Sequence, residues 1–251
     1  MPGRAILFCI VAQLLPELLH AQNHLELRFG WAHSRMIDDG YSKNLLFRGT
    51  NTKVNLAYSR EAPKYHFRFS IEGTAGTIKS KSENLPSNFY TLQPSVEYLT
   101  NIRDRLYLGA NLSSMNYIVI NEPVFDNARL LSLHGLYVNV RKQFQLSETR
   151  QLRLTYRLPA AVYVNRLLWN GGASPLSYRD GERWFRTLTH NGSFTYFNVL
   201  RNIEFAVDYA KQIGPRGQFI AGYKFRYFND RDDSGMNVYS NELLVGLKVR
   251  L

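Results

Sequence analysis

The chain has 251 residues, a formal net charge of +11 and a mean hydropathy of −0.30. This length suits one domain, and beyond residue 21 no apolar run is long enough to form a membrane-spanning helix. The basic residues are spread along the chain rather than gathered in a patch, which argues against a nucleic-acid-binding protein.

The amino-terminal segment has the pattern of a secretory signal peptide. Arg4 precedes a short apolar run over residues 5–12, and Ala21 is a small residue where cleavage is expected. The sequence therefore predicts a signal peptide over 1–21 and a mature domain over 22–251 that begins at Gln22. Cys9, the one cysteine, lies inside the removed segment. An exported domain without cysteine is typical of a barrel closed by backbone hydrogen bonds.

Beyond the signal, apolar and polar residues alternate with a period of two, which is the pattern of β-strands with one apolar face. Eleven segments show it: 25–31, 54–58, 65–72, 90–98, 106–112, 136–141, 152–158, 194–196, 203–209, 219–227 and 243–251. The last is the sharpest. Its odd-numbered residues from Leu243 to Leu251 are apolar, while Glu242 and Lys248 lie on the opposite face.

The connections between these segments alternate in length from the amino terminus onward. Short turns are expected at 60–64, 100–104 and 200–202, and longer polar loops at 37–51, 77–87, 117–127 and 170–182. Together with the closing strand, this arrangement resembles the outer-membrane β-barrel proteins of Gram-negative bacteria. The resemblance implies an all-β, antiparallel up-and-down transmembrane β-barrel in the bacterial outer membrane. Outer-membrane lipid is then its expected partner, together with other envelope proteins.

The number of strands is left open, because bacterial single-chain barrels have an even number and eleven segments are seen. Counted from the amino terminus, the alternation of turns and loops places residues 230–235 at the inner end of the barrel. Counted from the carboxyl terminus, it places them at the outer end. The mismatch falls between Leu158 and Phe197, and we expect twelve strands, with ten as the alternative.

The polar face of the segments carries charges of both signs, and in a barrel this face points into the lumen. These residues are Glu26, Arg28, Arg68, Glu72, Glu97, Arg153, Arg157, Glu204, Asp208, Lys224, Arg226, Glu242 and Lys248. An unpaired charge in a narrow lumen is costly, so the pattern predicts ion pairs that fill the barrel. The alternative interpretation is a polar conduit.

One pair of residues is a candidate for catalysis. His190 and Ser193 flank Asn191 and Gly192, and outer-membrane lipid hydrolases use a His and a Ser. Those enzymes place the two residues two apart on one face of a strand. Here the spacing of three puts them on opposite faces, unless a bulge at Gly192 restores the facing.

A second short segment is a candidate for metal binding. Asp230, Asp232 and Ser234 supply oxygen at the first, third and fifth places, and Gly235 follows at the sixth. This resembles the beginning of a calcium loop, although the twelfth place holds Asn241 rather than a bidentate Glu. The same residue types form ordinary turns. No cofactor is expected.

The sequence predicts the location of the protein more sharply than its activity. We expect a non-enzymatic outer-membrane barrel that acts as a structural, assembly or surface-binding component through its external loops. One alternative is an outer-membrane hydrolase acting on lipid or peptide. The other is a narrow pore or transporter for small solutes.

Overall fold

The computed structural model describes residues 21–38, 46–80, 86–121, 127–170, 192–196, 200–230 and 236–251. Its strands are β1 (Gln22–Asp38), β2 (Leu46–Glu61), β3 (Tyr65–Ser80), β4 (Pro86–Arg103), β5 (Leu106–Asn121), β6 (Asn127–Ser147), β7 (Arg150–Asn170), β8 (Gly192–Tyr196), β9 (Leu200–Gln212), β10 (Gly217–Asp230) and β11 (Met236–Arg250). No helix in the described part of the chain is long and apolar enough to cross a membrane. The predicted signal peptide falls, up to residue 20, outside the described ranges and stays a prediction.

The strands form one antiparallel sheet that closes on itself. The first and last strands pair along their length, with Leu25 opposite Val249 and Asp38 opposite Met236. The opposite side of the ring is completed by β6, β7 and β9. Apart from β8, which pairs with β7 alone in the described part of the chain, each strand has a partner on both sides, so the sheet closes into a ring. The predicted closed, antiparallel, all-β barrel is therefore confirmed.

The wall has ten positions rather than twelve. Strands β8 and β9 both pair with β7, β8 along residues 161–165 and β9 along residues 150–157. They therefore occupy a single position in the wall. The prediction of twelve strands is wrong, and the alternative of ten is correct. A period-two pattern counts segments, but it does not show that two consecutive segments share one partner.

Four predicted connections also change. The expected turn at 200–202 is the beginning of β9, where Leu200 pairs with Asp230. The expected loops at 37–51, 77–87 and 117–127 are shorter, because the strands on both sides of each loop continue well beyond their alternating apolar segments. Strands of 13 to 21 residues are longer than the roughly 9–11 needed to cross a bilayer, so much of the wall stands outside the membrane.

Both ends of the described chain lie at one end of the barrel, which we call the inner end. The tight connections are there too. Asp104 and Arg105 join β4 to β5 with φ values of 47° and 61°, the left-handed conformation that a two-residue hairpin turn requires. Ten wall positions place Asp230 and Met236, where β10 ends and β11 begins, at the opposite, outer end, which resolves the conflict between the two ways of counting.

The strands are tilted against the barrel axis. A path from Phe29 across β2, β3, β4, β5 and β6 reaches β7 at Asn165. The path in the other direction, across β11, β10 and β9, reaches β7 at Leu152, thirteen residues away. A closed sheet with this displacement must tilt its strands. The sequence alone therefore does not show which residues become neighbours across the lumen.

The two faces of the wall differ sharply in chemistry. On β1, Leu25, Leu27, Phe29 and Trp31 are between 40% and 63% exposed, whereas Glu26 is 1% exposed. Each of the nine remaining positions of the wall likewise carries exposed apolar side chains on its outer face. A closed cylinder with an apolar outer belt and a polar interior is a transmembrane β-barrel.

Candidate functional site

The barrel interior is where the structure gathers the charged residues of the polar face. Glu26 lies at the centre of one group. Its Oε1 accepts from Arg28 Nε at 2.6 Å and from Arg68 Nη2 at 2.6 Å, and its Oε2 accepts from Arg68 Nη1 at 3.0 Å. Arg28 also donates to Asp208 Oδ1 at 2.5 Å. Gly222 makes room for this pair, since a Cβ there would collide with the Asp208 carboxylate.

A second group surrounds Glu72. Its two carboxylate oxygens lie 2.8 Å from Lys53 Nζ and 2.6 Å from Lys224 Nζ. Lys53 in turn lies 2.6 Å from an oxygen of Glu242, and it is only 1% exposed. Because each cation contacts two carboxylates, the group is held as a network rather than as separate pairs.

This network continues on the far side of the lumen through Glu204. Its Oε2 lies 3.0 Å from Arg226 Nη2 and its Oε1 lies 3.3 Å from Arg157 Nη1. Arg226 Nη2 also reaches Glu72 Oε2 at 3.4 Å. Strands β3, β7, β9 and β10 are therefore linked through the interior as well as through their backbone ladders.

A third group lies towards the inner end. Glu97 pairs with Arg141 at 2.5 Å, and Arg141 Nη1 lies 3.0 Å from His66 Nδ1. His66 Nε2 contacts Glu61 Oε1 at 2.9 Å, and Lys248 Nζ contacts the same oxygen at 2.7 Å. The partner of Lys248 is thus Glu61, a residue outside the predicted set.

Four members of these groups were missing from the sequence-based list: Lys53, Glu61, His66 and Arg141. Three of them could have been found, because Lys53, His66 and Arg141 alternate with the lipid-facing residues of their strands. Glu61 ends its strand, beyond the apolar run that defines the pattern. Its role depends on where the neighbouring strands end.

Arg153 is the exception among the predicted lumen charges. It is buried, yet within the described residues its Nε has no hydrogen-bond partner and its guanidinium forms no ion pair. It lines a cavity of about 60 Å³ between the charged groups. A space of this size is large enough to hold water. Arg153 is therefore placed to be solvated by trapped water.

The outer half of the interior is mainly apolar, although buried polar side chains such as Ser34, Asn51 and Ser87 also lie there. Fourteen buried side chains form one cluster: Met36, Phe47, Ile78, Phe89, Met115, Tyr117, Val119, Leu131, Leu133, Tyr137, Val162, Val164, Phe228 and Val238. We call this cluster the apolar plug. It includes rings from adjacent and from facing strands, since the Tyr117 ring on β5 lies 6.2 Å from that of Phe89 on β4 and 6.4 Å from that of Phe228 on β10, between centroids. The plug fills the lumen above the charged groups.

The candidates for catalysis and metal binding fall largely outside the described part of the chain. His190, Asp232 and Ser234 lie there, and of Ser193 only the backbone is described, paired with Val164. Asp230 ends β10 at the outer end of the barrel. Within the described ranges, no group of three His, Asp or Glu side chains is arranged to hold a metal ion.

The lipid-facing surface carries a polar cluster that the sequence analysis did not single out. Ser114 on β5 stands directly opposite His134 on β6. Asn116 Nδ2 donates to Ser114 Oγ at 3.3 Å, and its Oδ1 accepts from Ser132 Oγ at 2.8 Å. His134 stacks on Tyr163 with ring centroids 6.4 Å apart. Ser114 and His134 line a shallow groove of about 560 Å³ whose remaining walls are mainly apolar.

Comparison with solved structures places this barrel among outer-membrane proteins. It is similar to the outer membrane protease OmpT from Escherichia coli, with a TM-score of 0.59 and 8% identity over 92% of this chain and 97% of that chain. The translocator domain of the autotransporter NalP from Neisseria meningitidis gives a TM-score of 0.44 and 10% identity, over 99% of this chain and 96% of that chain. No protein-family model and no curated protein matches the sequence.

At 8% identity the likeness to OmpT shows the fold alone. The fold is that of an outer-membrane β-barrel. The apolar belt, the charged interior and the pairing of the first strand with the last are what such a barrel needs to stand in a bilayer. The protein is thus an integral barrel of the bacterial outer membrane.

Proposed function

We propose that this protein is a sealed, non-enzymatic outer-membrane barrel that acts as a rigid support for surface-binding loops. The filled interior carries the proposal. The charged groups occupy the inner half of the lumen and the apolar plug occupies the outer half. A wall braced from inside holds its loops in fixed relative positions, and loops on a rigid scaffold are where recognition is usually found.

The same filling argues against the pore alternative. The cavity among the charged groups is small, at about 60 Å³, and the plug above it presents apolar side chains to any ion. We expect no unitary current steps when the purified barrel is inserted in a planar bilayer, alongside a porin that shows the bilayer is sensitive. Reproducible steps from the wild-type barrel would overturn the sealed-barrel proposal.

The role of the loops is tested separately on intact cells. A photo-crosslinking residue introduced within 171–191, between the end of β7 and the beginning of β8, should give discrete adducts with a surface or envelope component. The same residue at exposed Lys64, in an inner-end turn, serves as the control for general reactivity. If the two positions give the same adducts, or if neither gives any, the proposed surface-binding role is wrong.

Lipid hydrolysis is retained as a second candidate function, because one observation favours it. A serine and a histidine that face each other across adjacent strands, beside an apolar groove, combine a nucleophile and a base with room for an acyl chain. Ser114 and His134 would take these roles, with Asn116 orienting the serine.

Release of fatty acid from phospholipid in mixed micelles separates the two functions. Under the non-enzymatic proposal, the wild type releases no more than a His134→Ala variant. A rate that is lost in both Ser114→Ala and His134→Ala but kept in Ser193→Ala would establish the hydrolase with its site at the groove. Loss in His190→Ala and Ser193→Ala alone would place the site at the pair seen in the sequence.

A further inference from the structure

Three basic residues stand side by side on the lipid-facing side of the wall near its outer end. Arg35 on β1 is directly opposite Arg48 on β2, and Arg48 is directly opposite Lys79 on β3. Their strand neighbours Met36 and Ile78 point into the plug, so the basic side chains point outward. Like charges directly opposite each other on adjacent strands are destabilising unless something compensates them.

Nothing in the described wall compensates this basic row. Arg35 and Lys79 are exposed, and Arg48 is half-buried with an Nε that lacks a hydrogen-bond partner. Nine acidic side chains are described. Six of them, Glu26, Glu72, Glu97, Glu204, Asp208 and Glu242, face the lumen, and three, Glu61, Asp104 and Glu148, lie at the inner end. The outward surface around the basic row therefore offers three cations without an anionic partner among the described residues, and an anion from outside the chain can compensate them.

The height of the basic row identifies the source of that anion. Trp31 is 63% exposed on the same strand as Arg35, and exposed indoles sit at the membrane interface. Arg35 lies four residues farther out, about 13 Å along a strand that rises about 3.3 Å per residue. On the other side of Arg35 stands Tyr239, whose ring lies 4.7 Å from that of Tyr227. The row is thus at the level of the outer-leaflet headgroups, above an apolar wall that contacts acyl chains.

We propose that Arg35, Arg48 and Lys79 form a binding site for a multiply phosphorylated glycolipid of the outer leaflet. Adjacent strands are about 4.8 Å apart, so the three cations span about 10 Å, which suits a headgroup with two phosphates better than one with a single phosphate. The guanidinium groups can bind phosphate oxygens in pairs. The acyl chains would lie against Phe29 and Val54 below. This site rests on the outer-membrane placement of the barrel, and not on the proposed role of its loops.

The test compares a triple variant, Arg35→Gln with Arg48→Gln and Lys79→Gln, with an equal loss of charge at the inner end. The matched control is Lys211→Gln with Arg216→Gln and Arg250→Gln, three exposed cations there. Binding of diphosphoryl lipid A to folded, detergent-solubilised barrel is measured at two salt concentrations. We expect the affinity to fall at least tenfold in the triple variant and less than twofold in the control, and the wild-type affinity to weaken with salt.

Several outcomes would overturn the proposal. Equal losses in the two variants would show a general effect of net charge. Phosphatidylglycerol bound as tightly as diphosphoryl lipid A would show no preference for the glycolipid, and displacement by inorganic phosphate at matching concentration would show a free-anion site. If the triple variant does not migrate as a folded barrel, Arg48→Gln with Arg216→Gln as control carries the comparison. Wild-type protein that fails to insert into vesicles would instead overturn the membrane placement itself.

Discussion

The inner and outer halves of the barrel interior solve the same packing problem with opposite chemistry. Along β10 the inward-facing residues Lys224 and Arg226 belong to the charged half. The next inward-facing residue, Phe228, already belongs to the apolar plug. In the inner half, each cation other than Arg153 is matched to carboxylates from distant strands. In the outer half, side chains from the same wall meet as an ordinary apolar core. The difference shows that one barrel can be braced by charges where it crosses the membrane and sealed by apolar packing above.

The two halves are expected to respond differently to mutation. A buried ion pair adds little net stability over an apolar replacement, but removing one partner leaves a buried charge uncompensated. An apolar core instead loses stability in proportion to the volume removed and tolerates changes that conserve shape. The charged half is therefore specific in its partners, and the plug is specific in its volume.

The largest effect is expected from Glu26→Leu. Arg68 would lose its carboxylate partner and Arg28 one of its two, at a cost of about 3–5 kcal/mol in the free energy of unfolding. Guanidinium unfolding from liposomes measures this cost. Arg153→Met is the control, because no ion pair is lost within the described residues, and it should cost less than half as much. Equal costs would mean that the pairing in the inner half contributes nothing specific.

The second-largest effect is expected from placing a charge on the lipid-facing side of a strand. This test matters because the comparison of the two halves holds only if the polar residues of each strand face inward. On β11, Leu247 is 51% exposed and Lys248 is 2% exposed. Leu247→Arg should cost about 2–4 kcal/mol by placing a charge on lipid, with a matching drop in insertion yield. Lys248→Leu removes one partner of the Glu61 carboxylate, which keeps its contact with His66. This variant should therefore insert with a higher yield than Leu247→Arg. The reverse order of yields would show that the faces had been exchanged.

The smallest effect, and the finest comparison, comes from removing one methylene from each half on the same strand. Ile78→Val in the plug should cost about 0.5–1.5 kcal/mol. Glu72→Asp withdraws the carboxylate from Lys53 and Lys224 together, so it should cost more than Ile78→Val. Thermal denaturation in detergent, followed by the loss of heat-modifiable gel migration, ranks the two. If Ile78→Val is the more damaging, volume rather than pairing governs both halves.

Much of the wall could be predicted from local pattern. Alternation over residues 25–31 and 243–251 assigns the lipid-facing and lumen-facing residues of the two closing strands, because a strand sends successive side chains to opposite faces. The same alternation predicts that Glu26, Arg28 and Glu242 face the lumen, and all three are buried in the structure. The apolar plug was missed, because its members obey the same alternation but are apolar on the inward face.

Partner identity could not be predicted in the same way. The alternation predicts that Lys248 is paired within the lumen but does not identify the carboxylate, and the structure pairs it with Glu61. These two residues lie on β11 and β2, which are separated in the wall by β1. Their contact depends on which strands adjoin and on the register between them, and neither is encoded in a period of two.

The sequence by itself determined that the chain alternates, that its last strand is amphipathic to the end, and that its charges belong to one face. These properties are local, because successive side chains of a strand point to opposite faces. The tertiary structure decided that β8 and β9 share one wall position, and that one circuit of the barrel ends thirteen residues away from where it would close without tilt. It also decided that three cations stand side by side near the outer end. Closure decides them, because joining the first strand to the last sets the tilt, and the tilt sets every contact across the lumen.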